Sequence, residues 1–189
     1  MKQERTTAER RFWQAIKRVA VEHGRMTDWE YLGYPCSSRQ VEDLMSNFHQ
    51  DVHLPGFYGI RIPLGEISGL QVNMLIENQK ELIIGIRVEQ PENGCMGDQS
   101  YQTYQALLKR MESSQHGWNF DSPGWLAWKT PEVRLNFRAA NNGAFRDMMI
   151  NRDNSEALYL ITEEIADIIS DVSDLVRSHE KVGYGTVVN

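Results

Sequence analysis

Tyr58-Gly59-Ile60-Arg61-Ile62-Pro63-Leu64, Leu70-Gln71-Val72-Asn73-Met74-Leu75-Ile76 and Leu82-Ile83-Ile84-Gly85-Ile86-Arg87-Val88 set the architecture of this chain. In each run apolar residues recur at every second position, the period of a half-buried strand whose successive side chains point to opposite faces. The polar stretch Glu77-Asn78-Gln79-Lys80 separates the second run from the third, so these two are expected to form a hairpin. Two shorter strands are expected at 125–129 and 133–138, paired across Thr130-Pro131. The expectation is an α+β fold on an antiparallel sheet of about five strands.

Helical spacing frames that sheet. Thr6 and Glu9 stand in capping-box spacing ahead of Ala8, Phe12, Ile16, Val19 and Ala20, which predicts an amphipathic first helix ending near Gly24. Ser37 and Gln40 form a second such box before Val41, Leu44, Met45 and Phe48, predicting a helix over about 38–50. Asp98 is placed to cap a middle helix carrying Tyr101, Tyr104, Leu107, Leu108 and Met111. In the long last helix Leu158, Ile161, Ile165, Ile168, Val172 and Leu175 step by three and four, an apolar seam bordered by Glu164, Asp167, Asp171 and Asp174. Residues 184–189 read as a frayed tail.

At 189 residues, with 41% hydrophobic and 24% charged residues, the chain is expected to fold as one domain. No run reaches the length of a membrane helix and no signal segment opens the chain, so no membrane association and a cytoplasmic location are expected. Two cysteines, Cys36 and Cys95, make neither a disulfide framework nor a structural zinc site. The net charge of −6 argues against indiscriminate nucleic-acid coating. Yet residues 1–25 carry seven basic residues against three acidic ones, and Arg10/Lys17 and Arg11/Arg18 form two adjacent basic columns on the first helix.

The candidate chemistry is sparse. His49 and His53, four apart, share a helix face suited to a metal. Asp51 points away from that face, no Glu follows His49, and Pro55 marks the helix end, so no metal or cofactor is expected. No phosphate loop, dinucleotide fingerprint or nucleophile elbow is present.

The outward strand positions are more telling. With the isoleucines inward, Arg61, Asn73 and Arg87 face the other way, and the same alternation turns Arg134, Asn136 and Arg138 out. Four arginines would then share one face, with Gly59 and Gly85 leaving room for close approach to the backbone. Guanidinium forks suit carboxylates and phosphates, so a protein or nucleic-acid partner is expected there. The alternatives are internal neutralisation by the acidic border of the last helix, or an ordinary solvated sheet face. Trp125 and Trp128 fall on opposite faces of their strand, which puts at least one in the core.

Gly56-Phe57-Tyr58-Gly59-Ile60-Arg61-Ile62-Pro63-Leu64, then Trp128-Lys129 through Leu135-Asn136-Phe137 and the long last helix, resemble the non-catalytic carboxy-terminal portion of PD-(D/E)XK nuclease-superfamily proteins over about 56–176. The resemblance implies a setting in a phage or bacterial conflict system. It carries over no catalytic residue: the nearest string, Glu77-Asn78-Gln79-Lys80, lacks the Glu-x-Lys spacing that holds a metal. The reading is therefore a non-enzymatic binding or regulatory module, with a metal-dependent nuclease or related hydrolase as the alternative. The apolar seam needs a cover, either the sheet or the like helix of a second copy, and a homodimer is slightly favoured.

Overall fold

The computed structural model describes residues 2–48, 57–90, 98–139 and 141–183. The His49/His53 pair, Cys95 and the 184–189 tail lie outside them.

Among the described residues six antiparallel strands form one sheet: β1 (Asp28–Tyr31), β2 (Tyr34–Cys36), β3 (Tyr58–Ile67), β4 (Leu70–Asn78), β5 (Leu82–Glu89) and β6 (Ala127–Lys129), in the order β2-β1-β3-β4-β5-β6. The alternating runs become β3, β4 and β5, and the β4–β5 hairpin pairs Ile76 with Ile84 and Met74 with Ile86. β4 runs two residues further than its apolar alternation, so Glu77 and Asn78 are strand residues rather than turn residues. Between Pro63 and Gly65 the register of β3 shifts by one, a bulge at which Gly65 takes φ +146° under the side chain of Val176.

One expectation about the sheet needs correcting, and one hairpin adds to it. The hairpin β1–β2 was not legible in the alternation, and 133–138 is not a strand. That segment touches the sheet through Leu82 N–H to the Leu135 carbonyl, and then turns away. Its turn is built by Asn136, whose Oδ1 accepts from the backbone N–H of Arg138 and Ala139 at 2.8 and 3.1 Å. This Asx arrangement offers the backbone an alternative to a ladder.

The helices are α1 (Lys2–Glu22), α2 (Ser38–Phe48), α3 (Asp98–Glu112), α4 (Gly143–Asn151) and α5 (Glu156–Gly183). The box at α2 forms as expected: Gln40 Oε1 accepts from Ser37 N–H at 2.8 Å, while Ser37 Oγ accepts from Gln40 N–H. The Thr6/Glu9 spacing does not cap α1, which starts a turn earlier; Glu9 is instead fully buried. Its Oε1 accepts from Asn78 Nδ2 at 2.9 Å, Trp13 Nε1 at 3.3 Å and the Tyr58 hydroxyl, so α1 is pinned to β3 and β4 by a polar knot inside the core. α4, not expected from the spacing, is only nine residues long, too short to set up a repeated helical period; Asn142 caps it, its Oδ1 accepting from Phe145 N–H.

One core joins the inward faces of β3–β6 to all five helices. Ile60, Ile62, Val72, Met74, Ile84, Ile86, Leu135 and Phe137 are buried as expected, and Val133 is half-buried. Phe12, Trp13, Phe137 and Phe145 meet edge to face or tilted at 5.0–6.4 Å between centroids. In α5, Ile161, Ile165, Ile168 and Val172 are buried against β3, α1 and α4, so the seam finds its cover within the chain. Its acidic border is engaged by other groups than the outward arginines: Glu164 pairs with Lys129 at 2.6 Å and Asp171 with His116 at 2.9 Å. No helix among the described residues is long and apolar enough to cross a membrane.

Candidate functional site

Strand pairing builds the outward face row by row. Glu30, Gly59 and Glu77 lie opposite one another on β1, β3 and β4; the next row holds Asp28, Arg61, Leu75 and Gly85, and the next Asn73 and Arg87. Gln71 and Glu89 close it. Arg61, Asn73 and Arg87 thus do share one face.

Arg134, Asn136 and Arg138 do not join them. Without a strand at 133–138 no period-two register carries these side chains to the outward face. Arg134 is exposed and its carbonyl accepts from Asn142 Nδ2 at 3.1 Å. Arg138 lies on the core side, near enough to pull the Tyr58 hydroxyl downward electrostatically, while burial and Glu9 hold that hydroxyl well above its ordinary value. The carbonyls of Phe137 and Arg138 accept from Arg5 Nη2 at 2.9 and 2.8 Å.

Carboxylates hold the remaining two arginines. Arg61 donates to Glu30 Oε1 at 3.4 Å and to Glu89 at a shorter contact, and Asn73 Nδ2 reaches the same Glu89 oxygen at 3.3 Å. Arg87 lies 3.9 Å from Glu30 and 3.7 Å from Glu77. The side chains of Arg61 and Arg87 keep 21% exposure each, whereas those of Glu30 and Glu77 keep 4% and 3%. Burial pushes both carboxyls above their ordinary range; Arg61 and Arg87 oppose it at Glu30, Gln79 and Arg87 at Glu77.

Gly85 supplies the last part. The ring of Trp125 sits on it, in space that any β-carbon would occupy, and the Arg87 guanidinium lies 5.0 Å from that ring's centroid. Trp125 precedes β6 rather than alternating within it. Trp128, opposite Gly85 in register, donates from Nε1 to Asp121 at 3.0 Å, and both tryptophans are half-buried, so neither is core in the sense expected.

The face is therefore not a basic patch: Glu30, Glu77 and Glu89 stand around the two guanidiniums, and Asp28 and Glu66 fall in the same rows by register. Glu77 and Glu89 follow the same alternation as Asn73 and Arg87, which was the signal for them; Glu30 sits on a strand of four residues, too short to show a period. Among the described residues no group of three His, Cys, Asp or Glu side chains is placed to hold a metal. No protein-family model, curated protein or solved structure matches the chain.

Proposed function

We propose that this chain is a non-enzymatic binding or regulatory module that engages a protein partner through the sheet face bearing Arg61, Asn73 and Arg87. The supporting observation is the fixing of both guanidiniums: Arg87 lies between the Trp125 ring and two buried carboxylates, and Arg61 between Glu30 and Glu89, each with an edge exposed. Arginine and tryptophan held rigid lose little entropy on docking and are the residue types that dominate interface energetics. A protein surface of mixed charge suits this face better than a nucleic acid does, since three glutamates on it repel phosphates and the chain carries −6 overall. A setting in a phage or bacterial conflict system rests on the strand texture shared with PD-(D/E)XK proteins.

The test compares the wild type with Arg61→Gln and Arg87→Gln in affinity capture, followed by calorimetric titration of the purified captured protein. Loss of about tenfold or more in affinity, or 1.4 kcal/mol, in variants with an unchanged melting profile supports the reading. Undiminished binding by both would remove this face from it. The second reading, a metal-dependent nuclease or related hydrolase, needs a site other than this face, where among the described residues no three such side chains are placed to hold a metal. Cleavage of DNA or RNA with Mg²⁺ or Mn²⁺ that chelator abolishes would put it first.

A further inference from the structure

The two basic columns of α1 have different surroundings. Arg10 and Lys17 are engaged within the fold: Arg10 Nε and Nη2 donate to both carboxylate oxygens of Glu42 at 2.6–3.2 Å, and Lys17 Nζ lies 4.4 Å from the centroid of the Trp29 ring. Arg11 and Arg18 are not neutralised. Among the described residues no carboxylate pairs with either; Arg11 donates one hydrogen bond from Nη2 to the Met148 carbonyl at 3.2 Å, which steadies its guanidinium, and Arg18 is exposed.

Both arginines line one cavity of about 330 Å³, at the small end of the range for small-molecule pockets. Arg11, Gln14 and Arg18 step by three and four along α1 and so share the side that faces it, while Ala15 beside them leaves its space open. Leu158 of α5 and Asp153 complete the lining. Asp153 belongs to the short 3-10 turn Arg152–Asn154, entered through Arg152 at φ +51° and ψ −120°, a backbone state that favours glycine. Strain is thus held at the residue that sets Asp153 beside the cavity. Among the described residues its carboxylate makes no hydrogen bond or ion pair, although two guanidiniums share the cavity with it. None of these residues belongs to the sheet face bearing Arg61 and Arg87.

We infer that this cavity binds a small phosphorylated polyol, in chemical class a sugar phosphate. The guanidiniums of Arg11 and Arg18 receive the phosphate oxygens, and the Gln14 amide between them adds a further donor. Asp153, which can only accept, takes the hydroxyls at the other end of the ligand. That carboxylate also sets the selectivity: it repels inorganic phosphate and extended polyanions, and favours a ligand whose charge is confined to one end and whose other end donates.

Calorimetric titration of the full chain at low ionic strength compares ribose-5-phosphate with inorganic phosphate and with ribose. The sugar phosphate is expected to bind saturably, roughly tenfold or more tighter than either of the others, since each of those lacks one half of the contacts. Arg18 and Asp153 are exposed and make no side-chain hydrogen bond or ion pair among the described residues, so their variants change the cavity without disturbing the fold. Arg18→Gln should weaken ribose-5-phosphate about tenfold. Asp153→Asn should weaken ribose-5-phosphate and strengthen inorganic phosphate, so that the preference between them collapses. Three results would each overturn the proposal: no saturable binding of ribose-5-phosphate, inorganic phosphate bound as tightly by the wild type, which marks an adventitious ion only, or wild-type affinity in Arg18→Gln.

Discussion

The ring of Trp125 rests on Gly85, its Cε3 and Cζ3 each 2.1 Å from the point where a β-carbon on that glycine would stand. The strand position and the loop tryptophan are thus one unit, and the Arg87 guanidinium lies over the same ring. Gly85→Ala must displace the indole and is expected to cost about 1–3 kcal/mol through overpacking. Thermal melts give the loss, and a red shift in tryptophan emission should accompany it as Trp125 moves outward. A variant that melts like the parent would show that the loop yields freely.

Arg87 is the shared countercharge of Glu30 and Glu77. Arg87→Met is expected to cost about 1–3 kcal/mol, because it leaves two buried carboxyls less compensated. In a Glu77→Gln background the cost should shrink, with a coupling of about 0.5–3 kcal/mol by double-mutant cycle in denaturant. Simple additivity would mean that the contacts at 3.7 and 3.9 Å carry no coupling.

The pH dependence of stability has a sign that can be read from the same cluster. Glu30 and Glu77 are raised above the ordinary value of 4.5, chiefly by burial, so folding takes up protons at these sites. Their contribution is fully present below that ordinary value and is lost as pH rises through the folded ones. Asp147 acts the other way: hydrogen bonds from Ser155 and Ala157 hold it below 3.8, and its contribution is lost only as pH falls through that lowered value. Glu77→Gln should therefore gain stability relative to wild type as pH climbs above 4.5. Urea melts at a series of pH values check this, and a constant offset between the two proteins would contradict it.

Tyr58→Phe removes the hydroxyl shared by Glu9 and Asn78 in the core. Leaving those buried polar groups short of a partner is expected to cost about 1–3 kcal/mol with no change in packing volume beyond one oxygen. Equilibrium denaturation measures it; a neutral substitution would show that the knot is satisfied without the tyrosine.

Ile84 has no exposed surface and pairs with Ile76 on β4 and Lys129 on β6. Ile84→Ala is expected to cost about 2–5 kcal/mol through the cavity it opens. A parent-like melting curve would contradict the inward facing of the β4–β5 hairpin.

Local order was largely written in the chain. The alternation of Tyr58 through Leu64, Leu70 through Ile76 and Leu82 through Val88 carries its own facing, because a period of two leaves only one way to bury Ile60, Ile62, Ile76, Ile84 and Ile86 together. The α2 box and the seam of α5 are likewise local patterns whose chemistry acts within a turn or two. On the candidate face the same alternation placed Arg61, Asn73 and Arg87 correctly.

What surrounds those residues was decided at long range. That Glu9 would sit in the core depended on donors 49 and 69 positions away, which no spacing rule near Glu9 contains. The segment 133–138 alternates like a strand, yet Asn136 closes a turn there and no neighbouring strand completes a ladder. Arg134 and Arg138 therefore part from Arg61 and Arg87. Glu30 meets both remaining arginines only because β1 pairs with β3, bringing it onto a face begun 31 residues further on. Periodicity determines which way a side chain points, since it is a property of the local backbone; which charges it then meets is a property of strand order, set when the whole sheet and its helices pack.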